Sequence, residues 1–408
     1  MQILLLNARI LEPTAADYTE GNVLIENGII KDLAARPLAA PDRTTIDLRG
    51  RTLMPGLIDC HVHVVAHQMN LGANAQTPEA LAVLRSLPIL RGMLDRGFTT
   101  VRDVGGAPYA LAQAIEEGLC TAPRLITCGK ALSKTGGHAD LRPRNDTHDP
   151  HRWAQNFGAL GRVADGTDEV RRACRQELRQ GAAFIKIMAN GGVASPTDPI
   201  AWQGYSAAEM QAAVEEAADA QTYVSAHLYT ADAIRRAVAA GVHSLEHCNN
   251  IDPDAAQKAA AAHCIAVPTL ITYEALASDG ARLGVPPDSI AKIEDVRATG
   301  LASLKIMLDA GLPMAYGTDL LGETHARQSE EFAIRARILP PRDIIASATS
   351  LAAKLLNMTG HIGTIAPGAH ADLLVVDGDP WADPALLSQP DRTLRAIIKA
   401  GQIHRSTL

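Results

Sequence analysis

No stretch of the chain approaches the roughly 18 apolar, uncharged residues that a membrane helix needs, so nothing in it reads as a spanning segment. A basic stripe or polybasic tail is also missing. The 38 Lys and Arg and 45 Asp and Glu are scattered along 408 residues for a net charge of -7, which argues against nucleic acid as a partner. The opening MQILLLNARI lacks a positive n-region. Its apolar run is too short for a signal h-region and is broken at Asn7 and Arg9, so it reads as the first β-strand of a cytoplasmic protein. The six cysteines (Cys60, Cys120, Cys128, Cys174, Cys248, Cys264) include no C-x-x-C spacing, which argues against a disulfide framework and a cysteine zinc site. Cys60 and Cys248 adjoin histidines, but neighbours on a strand face opposite sides, so both are read as packed thiols. Aromatic residues make up only 3% of the chain. Its apolar content is therefore carried by Ala, Leu, Ile and Val, as in Ala-rich helices around a branched aliphatic sheet.

What is present is alternation. The length exceeds what one compact core usually supports, so a large domain with a smaller module is expected. Residues 1–52 read as short strands and turns, with Asn27-Gly28 as a hairpin signal. The same style returns from residue 363, in GTIAPGAHADLLVVD and TLRAIIKAGQIH. Residues 1–52 and 363–408 are thus expected to form one composite β-sandwich domain, and residues 53–362 the remainder. Within 53–362, strand-like runs end at 63, 106, 129, 192, 229, 248, 270 and 319, the count of an α/β (β/α)₈ TIM barrel. Helical spacing between them is marked by Ser206 or Asp168 as N-caps and Gly181 as a stop.

Barrel enzymes place chemistry at the C-terminal ends of strands, and the polar residues here sit there. His61 and His63 are two apart, so period-two alternation points both into the barrel. Lys186 lies inside the apolar run Phe184 to Met188, where loss of hydration favours a neutral, reactive amine. Such an amine can take up carbon dioxide as a carbamate able to bridge two metal ions. His227, His247 and Asp319 close three later strands. Imidazole and carboxylate suit one or two zinc-like ions with open positions, and the six residues together read as a metal site.

Through MPGLIDCHVHV, FIKIMANGG, SAHLYT, LEHC and YGTD, and the closing IGTIAPGAHADLLVVDGDP, nearly the whole chain resembles the amidohydrolase superfamily. The resemblance implies two Zn²⁺ per chain. By carry-over, His61, His63 and Asp319 bind the first, His227 and His247 the second, and N6-carboxylated Lys186 bridges them. FIKIMANGGV with an upstream GGH and a downstream AHLYT is similar to prolidase-like members, which cleave the C-terminal residue from dipeptides or N-acyl amino acids, some of them hydrolysing ochratoxin.

The implied reaction is hydrolysis of an amide by a metal-activated water. Asp319 moves the proton to the leaving nitrogen, and His138, in KTGGHAD, resembles the family histidine that polarises the scissile carbonyl. Tyr229 is a candidate for the substrate's free carboxylate, and Arg142 and Arg144 are candidate clamps for it. His325, six residues past Asp319, is the best of the remaining loop histidines. Residues 135–166 and 190–206 form long polar segments where specificity is expected. The expected partner is a small molecule with an amide bond, and the expected assembly a homo-oligomer. A mononuclear deaminase would share the histidines and the aspartate but has no need of Lys186. A lactonase or esterase would keep the same metals, and a non-enzymatic scaffold should lack a ligand.

Overall fold

The structure, a computed structural model, describes residues 2–36, 43–193, 195, 198–283, 285 and 287–408, with side chains described from 292 in the last segment. Contacts divide the chain into two units: Met1–Asp59 with Arg91–Val101 and Ser329–Leu408, and Cys60–Leu90 with Arg102–Gln328.

In the first unit both ends of the chain enter one eight-stranded sheet. Asn27 and Gly28 both have positive φ, 51° and 83°, as a type I′ turn requires, and Glu26 pairs with Ile29 across it. Strand Gln2–Ile10 changes partner midway. Ile3 to Leu6 pair in parallel with Thr44–Asp47, whereas Arg9 and Ile10 pair with Thr52–Pro55. Asn7, with φ 54°, stands at the switch. Thr52–Pro55 in turn pairs antiparallel with Leu373–Val376. Ile3, Leu5, Val23, Leu53, Leu373 and Ile398 belong to the apolar core of this unit.

The second unit is a (β/α)₈ barrel, closed by backbone hydrogen bonds among its own residues. Val104 N–H donates to Val62 O, Cys128 to Asp103 and Ala183 to Thr127. Parallel ladders then run through Ile185–Met188, Val224–Thr230, Ser244–Asn250 and Ile265–Val267. The eighth strand expected from LPMAYGTD has one ladder bridge, Ala266 to Met314. It closes the ring through Ala315 N–H to Ala266 O, Cys60 N–H to Tyr316 O and Asp319 N–H to His61 O. Gly317 permits the close approach of this segment: a Cβ there would lie 2.9 Å from the Cβ of His61 and 2.5 Å from Val267.

Ser206 caps helix Ala207–Asp219 with a full capping box to Glu209. Asp168 does not cap. Helix Gly166–Arg179 begins after Asp165 and puts Asp168 in its first turn, where a carboxylate favours the helix dipole instead. Gly181 follows the C-cap with φ 93°.

After the third barrel strand, Arg124–Thr127, Lys130 Nζ donates to the carbonyls of Asn156 (3.0 Å), Phe157 (3.3 Å) and Ala159 (2.5 Å). The ammonium is enclosed, and burial lowers its pKa to about 8. The folded value lies below the unfolded one of about 10.4. Below pH 8 both states are protonated and the cost of the enclosed charge is fully present. It is relieved as pH rises through that window, because the unfolded chain then holds more protons. Denaturant titrations should show wild type gaining on Lys130→Met by on the order of 1 kcal/mol per pH unit between about 8 and 10. Parallel profiles would refute this.

Candidate functional site

The five histidine and aspartate side chains converge because their strands end at one rim, but two of them need more than strand alternation. His61 is on the first barrel strand, Leu57–Val62, and His63 is just past it. Lys186 pairs with Ser225 and Met188 with His227, so His227 lies one layer nearer the C-terminal rim than Lys186. His247 pairs with Leu228, a residue of the opposite parity to His227, and in an uninterrupted strand it would point away from the interior. It has φ 70° instead, followed by Cys248 at 59°. Its ring centroid lies 4.7 Å from those of both His61 and His227. Asp319 also sits in the left-handed region, with φ 54°.

Asp319 is the hub. Its Oδ1 lies 3.3 Å from His61 Nε2 and 3.2 Å from His63 Nε2, and its Oδ2 lies 3.9 Å from His247 Nδ1. Ligand atoms of His61, His247 and Asp319 fall within 4.8 Å of one another, a group that can hold a metal ion. The far nitrogens are engaged elsewhere: His61 Nδ1 at 2.8 Å from Glu246 Oε2, and His63 Nδ1 at 3.0 Å from Gly105 O. These bonds leave both Nε2 atoms aimed at Asp319, the arrangement in which an outer acceptor fixes a ligand's tautomer.

Burial would raise the pKa of Asp319, but His61, His63 and His247 outweigh it and hold the carboxyl well below its usual range. Burial would lower the pKa of His63, and Asp319 and Asp103 reverse that. For His227 and His247 burial dominates, helped by neighbouring histidines and Lys186, and both are held well below the ordinary value as neutral imidazoles. Lys186 is 2% exposed and forms no hydrogen bond or ion pair with a described residue. Burial lowers its pKa to about 8, with Glu246 opposing and Arg102 adding to the shift.

Glu246 and Arg102 were not among the candidates drawn from the sequence, yet they underlie the site. Glu246 Oε1 accepts from Arg102 Nη2 (2.7 Å), Ser225 Oγ (2.6 Å) and Ser244 Oγ (2.6 Å), while Oε2 faces His61. Arg102 also donates to Cys60 O at 2.5 Å and lies over the ring of Phe184. Burial would raise the pKa of Glu246, but Arg102, Lys186 and His61 hold it well below the carboxylate range. A strongly basic residue within a strand signals an interior partner, and the E before H in LEHC was the available clue.

His138 stacks on His227, with centroids 4.1 Å apart and planes at 18°. Tyr229 stacks on His247 at 5.3 Å and accepts a hydrogen bond from Tyr273 Oη at 3.0 Å. The other candidates are engaged differently. Arg142 binds Asp140 through two nitrogens and donates to His148 O at 2.7 Å. Arg144 is exposed, and His325 Nε2 lies 3.0 Å from Ala66 O. Cys60 and Cys248 are buried and are not in the metal-capable group. No helix among the described residues is long and apolar enough to cross a membrane.

A model of the amidohydrolase family matches residues 52–404. The ochratoxinase of Aspergillus niger is 30% identical over 366 residues, 86% of this chain and 75% of its own length. Two solved structures cover 100% of both chains: a prolidase complexed with N-methylphosphonate-L-proline, with TM-score 0.98 and 48% identity, and a Xaa-Pro dipeptidase with methionine bound in its active site, with TM-score 0.87 and 28% identity.

Proposed function

Given that the chain belongs to the amidohydrolase family, we propose that it is a two-metal hydrolase that cleaves the amide bond of a dipeptide or N-acyl amino acid and releases an apolar C-terminal residue. The observation that carries this reading is the convergence of His61, His63, His247 and Asp319 around one point, with Lys186 and His227 buried beside it. The donor set fits borderline divalent ions such as zinc: imidazole nitrogens and an ionised carboxylate. In this reading His61, His63 and Asp319 would hold one ion and His227 and His247 a second, and Lys186, if carboxylated on Nζ, would supply carboxylate oxygens to the same centre. When bound, such ions supply a water of lowered pKa and polarise a carbonyl oxygen.

The chain's own groups do the rest. Asp319, ionised at neutral pH, takes a proton from the attacking water and passes it to the leaving nitrogen. His138 presents its ring edge to the carbonyl oxygen. Tyr229 Oη meets the free carboxylate. Beside it, Val193, Tyr273, Leu276, Ile293 and Val296 form an apolar cluster with Tyr229, which supports an apolar side chain on the released residue and accommodates the reading toward ochratoxin-type amides.

The test is a hydrolysis screen of metal-loaded protein on dipeptides and N-acyl amino acids varied at the C-terminal residue, with ochratoxin A included. Apolar C-terminal residues should be released faster than charged ones. Turnover of lactones or heterocyclic amines without any amide cleavage would sink the reading. Tyr229→Phe should raise KM by about 10-fold or more with little change in kcat, since a hydrogen bond to a charged group contributes about 1.5–3 kcal/mol. An unchanged KM for the free acid would remove Tyr229 from that role.

A further inference from the structure

The segment that follows the fourth barrel strand brings a buried carboxylate to the Nδ1 edge of His138. Asp198 is 2% exposed, and its ion-pair partner among the described residues is His138, with Oδ2 3.4 Å from Nδ1. Ser195 lies between them: His138 Nδ1 is 2.8 Å from Ser195 Oγ, and that hydroxyl donates to Asp198 Oδ1. Asp198 Oδ2 also accepts from the backbone N–H of Gly192 at 3.1 Å.

The placement is tightly held. A Cβ on Gly192 would fall 1.9 Å from the His138 ring, so only glycine permits the ring to sit against this segment. Asn190 ties its base down by donating to the carbonyls of Ile200 (2.8 Å) and Trp202 (2.7 Å) while accepting from Tyr229 and Thr230 N–H at 2.9 Å each. Lys292 Nζ reaches the carbonyls of Gly192 and Ser195 at 3.3 and 3.4 Å. On the other side the ring is stacked on His227.

We propose that Asp198, acting with Ser195, is a positioning residue for His138: it engages Nδ1 and fixes the plane of the ring, so that Nε2 is the nitrogen presented to the substrate carbonyl. A buried carboxylate without a Lys or Arg partner is costly, and orientation of an imidazole by a carboxylate behind it is a recurring use of such a group. The inference rests on the proposed role of His138 in amide hydrolysis. It adds that the long segment after Lys186 takes part in the reaction through that ring.

The experiment is a double-mutant cycle on the metal-loaded enzyme with a dipeptide that wild type hydrolyses. Asp198→Ala should lower kcat by on the order of 10- to 100-fold with KM little changed, and Asp198→Asn, which retains the acceptor shape, should lose less. In the His138→Ala background, Asp198→Ala should change kcat by no more than about twofold, because its effect runs through the ring. Equal loss in both backgrounds, or near wild-type kcat in Asp198→Ala with metal content intact, overturns the proposal.

A second readout does not depend on turnover. In protein labelled with ¹⁵N-histidine, the protected Nδ1 proton of His138, identified by its loss in His138→Ala, should exchange with water in Asp198→Ala and survive in Asp198→Asn. Protection unchanged in Asp198→Ala overturns the proposal. Failure of wild type to cleave any amide, with this protection behaving as expected, would instead overturn the functional reading and leave the positioning intact.

Discussion

Lys186→Ala should bind fewer divalent ions per chain than wild type and lose activity by on the order of 10³-fold or more in kcat/KM, because it removes a group that serves the metal-activated water. The side chain is enclosed in the barrel and has no bonded counter-ion among the described residues. With its pKa lowered to about 8, a useful fraction of the amine is neutral near neutral pH. A neutral amine adds to carbon dioxide, forming an N–C bond and releasing one proton to solvent, and the product is an anion with two oxygens. That would exchange a destabilised cation for an anion and remove a positive charge that helps to depress the pKa values of His227 and His247. Metal analysis beside kinetics checks the outcome, and added acetate should restore part of the activity by supplying a carboxylate to the vacated volume. A variant with full metal content and full kcat/KM would remove the carbamate from the reading.

Glu246→Ala should be the most destabilising single change around the site. It strips acceptors from Arg102 Nη2, Ser225, Ser244 and His61 at once and leaves a guanidinium in the interior without its carboxylate. Breaking one half of such a buried pair costs about 3–5 kcal/mol. The loss should appear as a lower guanidinium chloride midpoint in metal-free protein. Metal affinity should fall separately, by about 10- to 100-fold, because His61 loses the acceptor that sets its tautomer. Glu246→Gln keeps the shape but not the charge and should fall between the two. A midpoint in Glu246→Ala equal to wild type would show that Arg102 finds other compensation.

Much of this was legible in the sequence, for identifiable reasons. His61 and His63 could be paired because alternation is a local property, and the capping box at Ser206 because its two partners are three residues apart. Asn27-Gly28 was legible because few residue pairs adopt positive φ twice running. Glu246 was hidden by the same alternation that revealed His61 and His63. Period two puts it on the face opposite His247, and only the left-handed backbone at His247 and Cys248 brings both inside. The clustering of such conformations at His247 and Asp319 matches the general tendency of strained backbone to sit where function is.

Asp198 was hidden differently. It lies in a polar segment where acidic residues are ordinary, and its meaning depends on a histidine sixty residues earlier in the chain. The eighth strand was placed correctly but is not a regular strand, and only glycine at 317 allows it to approach His61 so closely. Arg142, attractive as a clamp by residue type, is held by Asp140 two residues before it, a local pairing that residue type alone does not reveal.

The sheet shared by the two ends of the chain bears on biosynthesis. Thr52–Pro55 is made early, yet its antiparallel partner Leu373–Val376 emerges from the ribosome more than three hundred residues later. At about 5–20 residues per second, that strand edge stays unpaired for on the order of tens of seconds. The first unit therefore cannot close until Leu373–Val376 has been made, with its apolar strands waiting meanwhile. This interval, rather than the finished fold, is where aggregation during expression should begin, and slower growth at low temperature with chaperone support should improve the soluble yield.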